Sequence, residues 1–305
     1  MRLIENIGNI LEILKFKEHK PIYIDEYIKL IRTTFNEELG ISKEVISISQ
    51  SILKDVKLTL RKSNPMIDSN SVQVWRNKWP MNILGISFTI YSKQYMFENF
   101  AKFQRLKSQY ELRSSFSFEK KQLIFVGYGY QNMWQESELY DTIYHEVEHL
   151  YQTIKSGKSL NSNDSELYKL AIDAMSVNDN EALSVLGYVI YLSRRYEQTA
   201  YSHGLYGMLK SEQPQSRDEI NGIIPYSQLY SAYAKLKMCK EYISFNKENP
   251  QLMQGLKHFN KNYNWFLKLV DRAIQQTVRC TSRTISKYLN DLEKKMMIGL
   301  KYLDK

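Results

Sequence analysis

His145, Glu146, Val147, Glu148 and His149 form a run in which two imidazoles stand four residues apart. On a helix turning about 100° per residue they project the same way and can hold one metal ion between them. Neutral imidazole nitrogen is a good zinc ligand, and a catalytic zinc site takes three protein ligands and leaves a fourth position to water. Zinc lowers the pKa of that water towards neutrality, and a nearby carboxylate can take its proton as it attacks a carbonyl. The run satisfies both H-E-x-x-H and the inverted pattern H-x-x-E-H. Glu146 and Glu148 flank the histidine pair at about 80° on either side, so spacing alone does not choose the base. The commoner forward pattern favours Glu146, and Glu148 then reads as an ordinary exposed helix glutamate.

The surrounding residues must supply the helix and the rest of the ligand set. Tyr140, Ile143, Val147, Leu150 and Ile154 gather into one apolar stripe, while His145 and His149 project from nearly the opposite side. A solvated polar face is the bland alternative to a metal site. For the third ligand the best segment is a second helix expected over roughly 180–210. There Leu186, Ile190, Glu197, Ala200, Tyr201, Gly204 and Met208 share a face at period 3.6. A carboxylate inside such a stripe is costly without a partner, which a metal or the neighbouring Arg194 and Arg195 could provide. The small Ala200 and Gly204 would let another helix approach closely, including the one that carries the histidines. Competing ligands are Glu181, Asp173, Asp179 and His203, and a third histidine would point to a different group of zinc proteases.

His145-Glu-x-x-His149 on one helix, followed by Glu197-x-x-Ala200 on a later one, resembles the gluzincin (thermolysin-like) group of zinc metallopeptidases. The resemblance covers roughly residues 84–208, and the interval from His149 to Glu197 is longer than in thermolysin-like enzymes. It implies Zn2+ held by His145, His149 and Glu197, with Glu146 as general base and proton shuttle and Ala200 as a small packing residue. It also implies a histidine or tyrosine that stabilises the oxyanion, for which Tyr201 and His203 are the candidates and Tyr144 lies next to the zinc-binding pair. It further implies a sheet, then the zinc helix, then the ligand helix, with an edge strand available to pair with an extended peptide.

Hydrophobic residues make up 43% of the 305 and charged residues 25%, which places the chain in the globular range. Only 12 glycines and 6 prolines favour a helix-rich architecture. No segment approaches a membrane span, the opening residues do not read as a secretory signal, and Cys239 and Cys280 form no C-x-x-C pair, so a cytoplasmic setting is expected. A net charge of +9 raises nucleic acid as a partner, but the lysines and arginines are scattered among acids and no nucleic-acid module is recognisable.

Three regions are expected: an N-terminal helical region over 1–62, a catalytic core over 72–212 and a C-terminal helical subdomain over 222–305. The first holds helices to about Phe16, from just after Pro21 with Ile24 to Phe35 in phase, and from Ser42 to Arg61. The turn-rich stretch 62–71 is the boundary. Strands are expected at 84–91, 110–118 and 122–128, with Glu119-Lys120-Lys121 as the turn between the last two. The fold class is thus α+β, predominantly helical, with a small antiparallel sheet ahead of the zinc helix. The expected function is zinc-dependent cleavage of a protein or peptide substrate. The alternative is a non-catalytic basic protein that binds nucleic acid or an assembly partner, with a structural or vestigial metal site. A third reading is a zinc hydrolase acting on some other amide or ester, because the motif specifies the activated water and not the acyl group.

Overall fold

The computed structural model describes residues 23–33, 42–62, 72–74, 85–91, 112–117, 122–128, 136–156, 165–176 and 180–303. The expected helix ending near Phe16, Phe35, almost all of the 62–71 boundary, the 119–121 turn and Asp179 lie outside them. Helix α1 (Ile24–Thr33) carries Asp25 and Glu26 in its first turn, where the helix dipole favours acids. Its Tyr27 and Ile31, four apart, are buried. Helix α2 (Lys43–Lys62) starts after Ser42, whose hydroxyl oxygen faces the Val45 N–H at 3.5 Å, and it buries Val45, Ile48 and Ile52.

Helix α3 (Glu136–Ser156) bears the histidine pair. Helix α4 (Ser165–Ser176) leads to α5 (Glu181–Leu192), whose N-cap Asn180 accepts the Leu183 N–H at 3.1 Å. Helix α6 (Arg195–Glu212) carries Glu197. After α7 (Arg217–Ile223) come α8 (Gln228–Phe245), α9 (Pro250–His258) and the long α10 (Tyr263–Leu303). None of the described helices is long and apolar enough to cross a membrane.

The expected single helix over 180–210 is two. Ser193 turns its hydroxyl back to the Ile190 carbonyl at 2.8 Å, and Arg194 adopts extended backbone with ψ of 132°. Gln198 holds the break in place, because its buried amide donates to Leu192 O at 3.0 Å and to Ala273 O on α10 at 3.3 Å. An orphan carbonyl at the end of α5 is thereby satisfied from α6.

The fold class also needs correction. Every regular element among the residues whose side-chain surroundings are described is helical, and no strand lies among them. The backbone does trace four short strands, β1 (Val72–Val74), β2 (Gly85–Tyr91), β3 (Leu112–Ser117) and β4 (Gln122–Tyr128), in the order β1-β2-β4-β3. They do not make the expected antiparallel sheet, because β2 runs parallel to β4 with Gly85 opposite Gln122. The reason is connection length. Residues 92–111 separate β2 from β3, enough chain for a crossover, and only β3 and β4 are joined tightly enough for a hairpin.

Two buried clusters fill the helical body. One gathers Tyr27, Ile52, Ile143, Val147, Tyr206, Tyr230 and Tyr233 from α1, α2, α3, α6 and α8. The other gathers Val185, Leu186, Leu236, Leu256 and Phe266 from α5, α8, α9 and α10. Tyr201 of α6 packs against both, so the face of α6 that bears the site lies where the two cores meet.

The approach of α6 to α3 is set by glycine. A β-carbon on Gly204 would stand 2.9 Å from the Asp141 carbonyl oxygen and 2.0 Å from its Oδ1, and one on Gly207 would stand 2.6 Å from the Tyr144 ring and 2.9 Å from Tyr140 O. Asp141 is itself held, since its Oδ2 accepts the Gln228 N–H at the start of α8 at 2.9 Å. Gly204→Ala and Gly207→Ala are each expected to destabilise the fold by about 1–3 kcal/mol through overpacking, despite alanine's higher helix propensity. Gly222→Ala, where nothing lies within 4 Å of the new carbon, is expected to stabilise by about 0.5–1 kcal/mol. Urea unfolding of the three variants measures both signs, and equal effects at all three positions would remove the close-packing account.

Candidate metal centre

Helix α3 is buried on more than its apolar stripe. Ile143 and Val147 are fully enclosed, as expected, but His145, Glu146 and Glu148 are also buried. The solvated-face reading fails for a tertiary reason: α6 covers the polar side. The same contact overturns the expectation that Glu148 is an exposed helix glutamate, since it is 4% exposed.

On that covered side three ligand atoms converge. His145 Nε2 and His149 Nε2 lie 3.0 Å apart, and Glu197 Oε2 lies 3.4 Å from the second and 3.9 Å from the first. The donor set fits a small divalent ion by two tests. From the three separations, the point in their plane equidistant from all three atoms is about 2.0 Å from each, matching metal–ligand bonds of about 2.0–2.2 Å. Glu197 Oε2 is also buried, and at 3.4 Å from His149 Nε2 it makes at most a long hydrogen bond, an arrangement that is costly unless a cation faces it. The triad is therefore a buried His–His–Glu group that can hold a metal ion, and it is the only such group among the described residues. Asp173 is exposed and Glu181 lies beside Tyr242, so neither joins it.

The ligands are oriented by packing and by one tyrosine. Tyr201 lies over the His145 ring at 4.6 Å between centroids, and Tyr196 meets the His149 ring edge-on at 5.6 Å. Neither Nδ1 has a hydrogen-bond partner among the described residues, so aromatic contact takes the place of the usual carboxylate or carbonyl behind a metal-binding histidine. Tyr191 donates its hydroxyl to Glu197 and also meets the Tyr201 hydroxyl. The Arg194 guanidinium lies over the rings of Tyr168 and Tyr196, at 4.2 and 4.5 Å, and Arg195 is exposed.

The charges of the pair divide. Burial, together with the neighbouring His149 and His203, holds His145 well below the ordinary imidazole pKa. Burial also pulls His149 down, but the hydrogen bond and charge of Glu197 outweigh it and leave His149 raised. In Tyr201 burial and then the Glu197 charge push the phenol well above its usual value, so it remains a neutral hydroxyl.

His203 is placed elsewhere. Its Nδ1 donates to Thr199 O at 3.0 Å, its Nε2 accepts the Ser42 N–H at 3.2 Å, and Glu148 Oε2 faces that same nitrogen at 3.4 Å. Those two hydrogen bonds define a neutral imidazole, in keeping with burial holding its pKa down against the Glu148 charge. Glu148 Oε1 accepts from Gln152 at 2.6 Å. Tyr144, beside His145 in sequence, points away and packs against Tyr206 and Tyr140. Sequence reasoning missed the tyrosine ring of the site, Tyr191 and Tyr196, because 23 tyrosines offer no pattern that singles out two.

In comparisons with known proteins, no family model, no curated protein and no solved structure matches this chain.

Protein supplied with zinc is expected to hold about one ion per chain and to unfold at higher temperature than the chelated form, because binding only to the folded state adds to stability. His145→Ala/His149→Ala should abolish both effects. Elemental analysis and thermal unfolding on the same samples test this, and an unchanged metal content in the double variant would sink the site.

Proposed function

We propose that the chain is a zinc-dependent metallopeptidase that hydrolyses peptide bonds in a protein or peptide substrate. The observation that carries this reading is the convergence of His145 Nε2, His149 Nε2 and Glu197 Oε2 inside the helical body, with Glu146 on the same helix. A zinc ion held by His145, His149 and Glu197 would supply Lewis acidity and would lower the pKa of a bound water.

Glu146 is the general base. Its charge acts on both His149 and Tyr201, which supports that role. Glu148 has Gln152 hydrogen-bonded to one oxygen and His203 of α6 3.4 Å from the other, so its work is to hold the helices together. His203 acts with it as a positioning residue and not as an oxyanion donor. Tyr201, a neutral phenol in contact with His145, is the group that can donate to a developing oxyanion. A cavity of about 610 Å³, which shares Tyr196 with the surroundings of His149, has aromatic and aliphatic walls from Tyr168, Leu167, Trp265 and Leu269 together with Arg194 and Arg195, and a substrate segment that combines apolar and acidic groups fits such walls.

Peptide hydrolysis should be abolished by a chelator and restored by zinc. Glu146→Gln should lower kcat by about 10²–10⁴ while zinc content stays unchanged. Glu148→Gln should retain most of the kcat of the folded fraction and lose about 1–3 kcal/mol of stability. If Glu146→Gln keeps full activity while Glu148→Gln is dead, the base is wrongly assigned. A stoichiometric zinc site that hydrolyses no peptide in a broad mixture would leave the metal in a structural role.

A further inference from the structure

On another side of α3, away from the triad, a cleft of about 500 Å³ opens between α2, α3, α6 and α10. Its volume lies within the roughly 300–1,000 Å³ of small-molecule sites. Three of these elements each send one lysine to it, Lys54 from α2, Lys210 from α6 and Lys295 from α10. No acidic residue lines it among the described residues. The nearby Asp291 is occupied, accepting from Lys287 Nζ at 2.6 Å and from the Tyr206 hydroxyl at 2.5 Å. Glu219, close to Tyr288, accepts the Gln215 N–H at 2.8 Å.

Like charges gathered in a cleft with no acid among its described lining residues repel, and Lys210 is the most enclosed of the three. That side chain is half-buried with its ammonium over the rings of Tyr206 and Tyr288, at 5.1 and 5.5 Å. Burial first, and then Lys295 and Lys287, lower its pKa against the pull of Asp291. Such a cluster is relieved by a compact multivalent anion, and lysine is a common point-charge partner of phosphate. The walls carry a further signal. Tyr144 lines the cleft with its ring fully buried and its hydroxyl against the Gln50 side chain, which also lines it. Tyrosine rings and Leu53 offer faces on which a flat organic body can stack.

We propose that this cleft binds a small phosphorylated ligand, its phosphoryl groups on Lys54, Lys210 and Lys295 and its organic part against the tyrosine wall. The site is independent of the metal centre and does not rest on the peptidase reading.

The test is calorimetric titration of the full chain in about 0.15 M salt, where long-range attraction between exposed charges is largely screened. Adenosine diphosphate, pyrophosphate and adenosine are the three probes. Adenosine diphosphate and pyrophosphate are expected to bind saturably with about one site per chain, and adenosine at least about tenfold more weakly than the diphosphate. Lys210→Met should weaken adenosine diphosphate about tenfold or more. The double variant Lys54→Gln/Lys295→Gln, which alters only exposed side chains, should do the same and guards against a folding defect at Lys210. Lys294→Met, an exposed lysine on α10 outside the cleft, should change nothing, and His145→Ala/His149→Ala should leave the affinity intact. Equal losses in the Lys210 and Lys294 variants would reduce the effect to net charge and overturn the proposal. So would adenosine binding as tightly as its diphosphate, or neither phosphate probe binding saturably.

Discussion

The close approach of α6 to α3 is the contact on which the rest of the structure depends. Gly204 and Gly207 leave no side chain where Asp141 and Tyr144 of α3 must pass, so backbone and side chain meet at distances that alanine would not permit. The result is a helix pair whose facing surfaces are polar as well as apolar. His145, Glu146, Glu148, Glu197 and His203 are all buried between or beside them. Burying five ionisable groups in one interface is unfavourable unless each finds a partner, so the geometry of this pair decides where the unsatisfied charge remains.

That charge is distributed unevenly along the interface. Where α2 begins, His203 is satisfied at both nitrogens by Thr199 and Ser42, and Glu148 has Gln152 against it. One turn away, Glu197 Oε2 and two imidazole Nε2 atoms face one another. Glu148 Oε2, like Glu197 Oε2, is buried without a hydrogen bond of ordinary length, and the neutral His203 ring lies 3.4 Å from it. The His145–His149–Glu197 end is the one where three ligand-type atoms converge closely enough to hold a metal ion, and because they sit on helices clamped by two cores, the arrangement is preformed by packing. The break between α5 and α6 contributes to this, since Gln198 ties the start of α6 to both α5 and α10 one residue after the carboxylate ligand.

Adjacent residues of α3 thus serve different surroundings. His145 turns to the triad under the ring of Tyr201, and Tyr144 turns to a cleft edged by three lysines. A helix enclosed on so many sides gives each successive residue its own environment. This is why the chain's excess of positive charge can be scattered in sequence and still concentrate locally in space.

Local geometry accounts for what could be read without the structure. The i, i+4 spacing of His145 and His149 puts both rings on one side of any helix, and the apolar phase of α6 marks Glu197 as a carboxylate that needs a partner. Ala200 and Gly204 signalled the close approach of another helix for the same reason, since a missing side chain is visible in the sequence. Much of the rest depended on tertiary packing. Glu148 reads as an exposed residue until α6 is laid over it, and His203 reads as a site residue until Ser42, 161 positions earlier, donates to it. The helix break at 193–194 depends on Gln198 finding Ala273, and strand direction depends on which ends a long connection joins, neither of which periodicity records. Spacing along one element is a property of the backbone helix itself, but which elements cover one another follows from burying all their faces at once, and that is decided only in three dimensions.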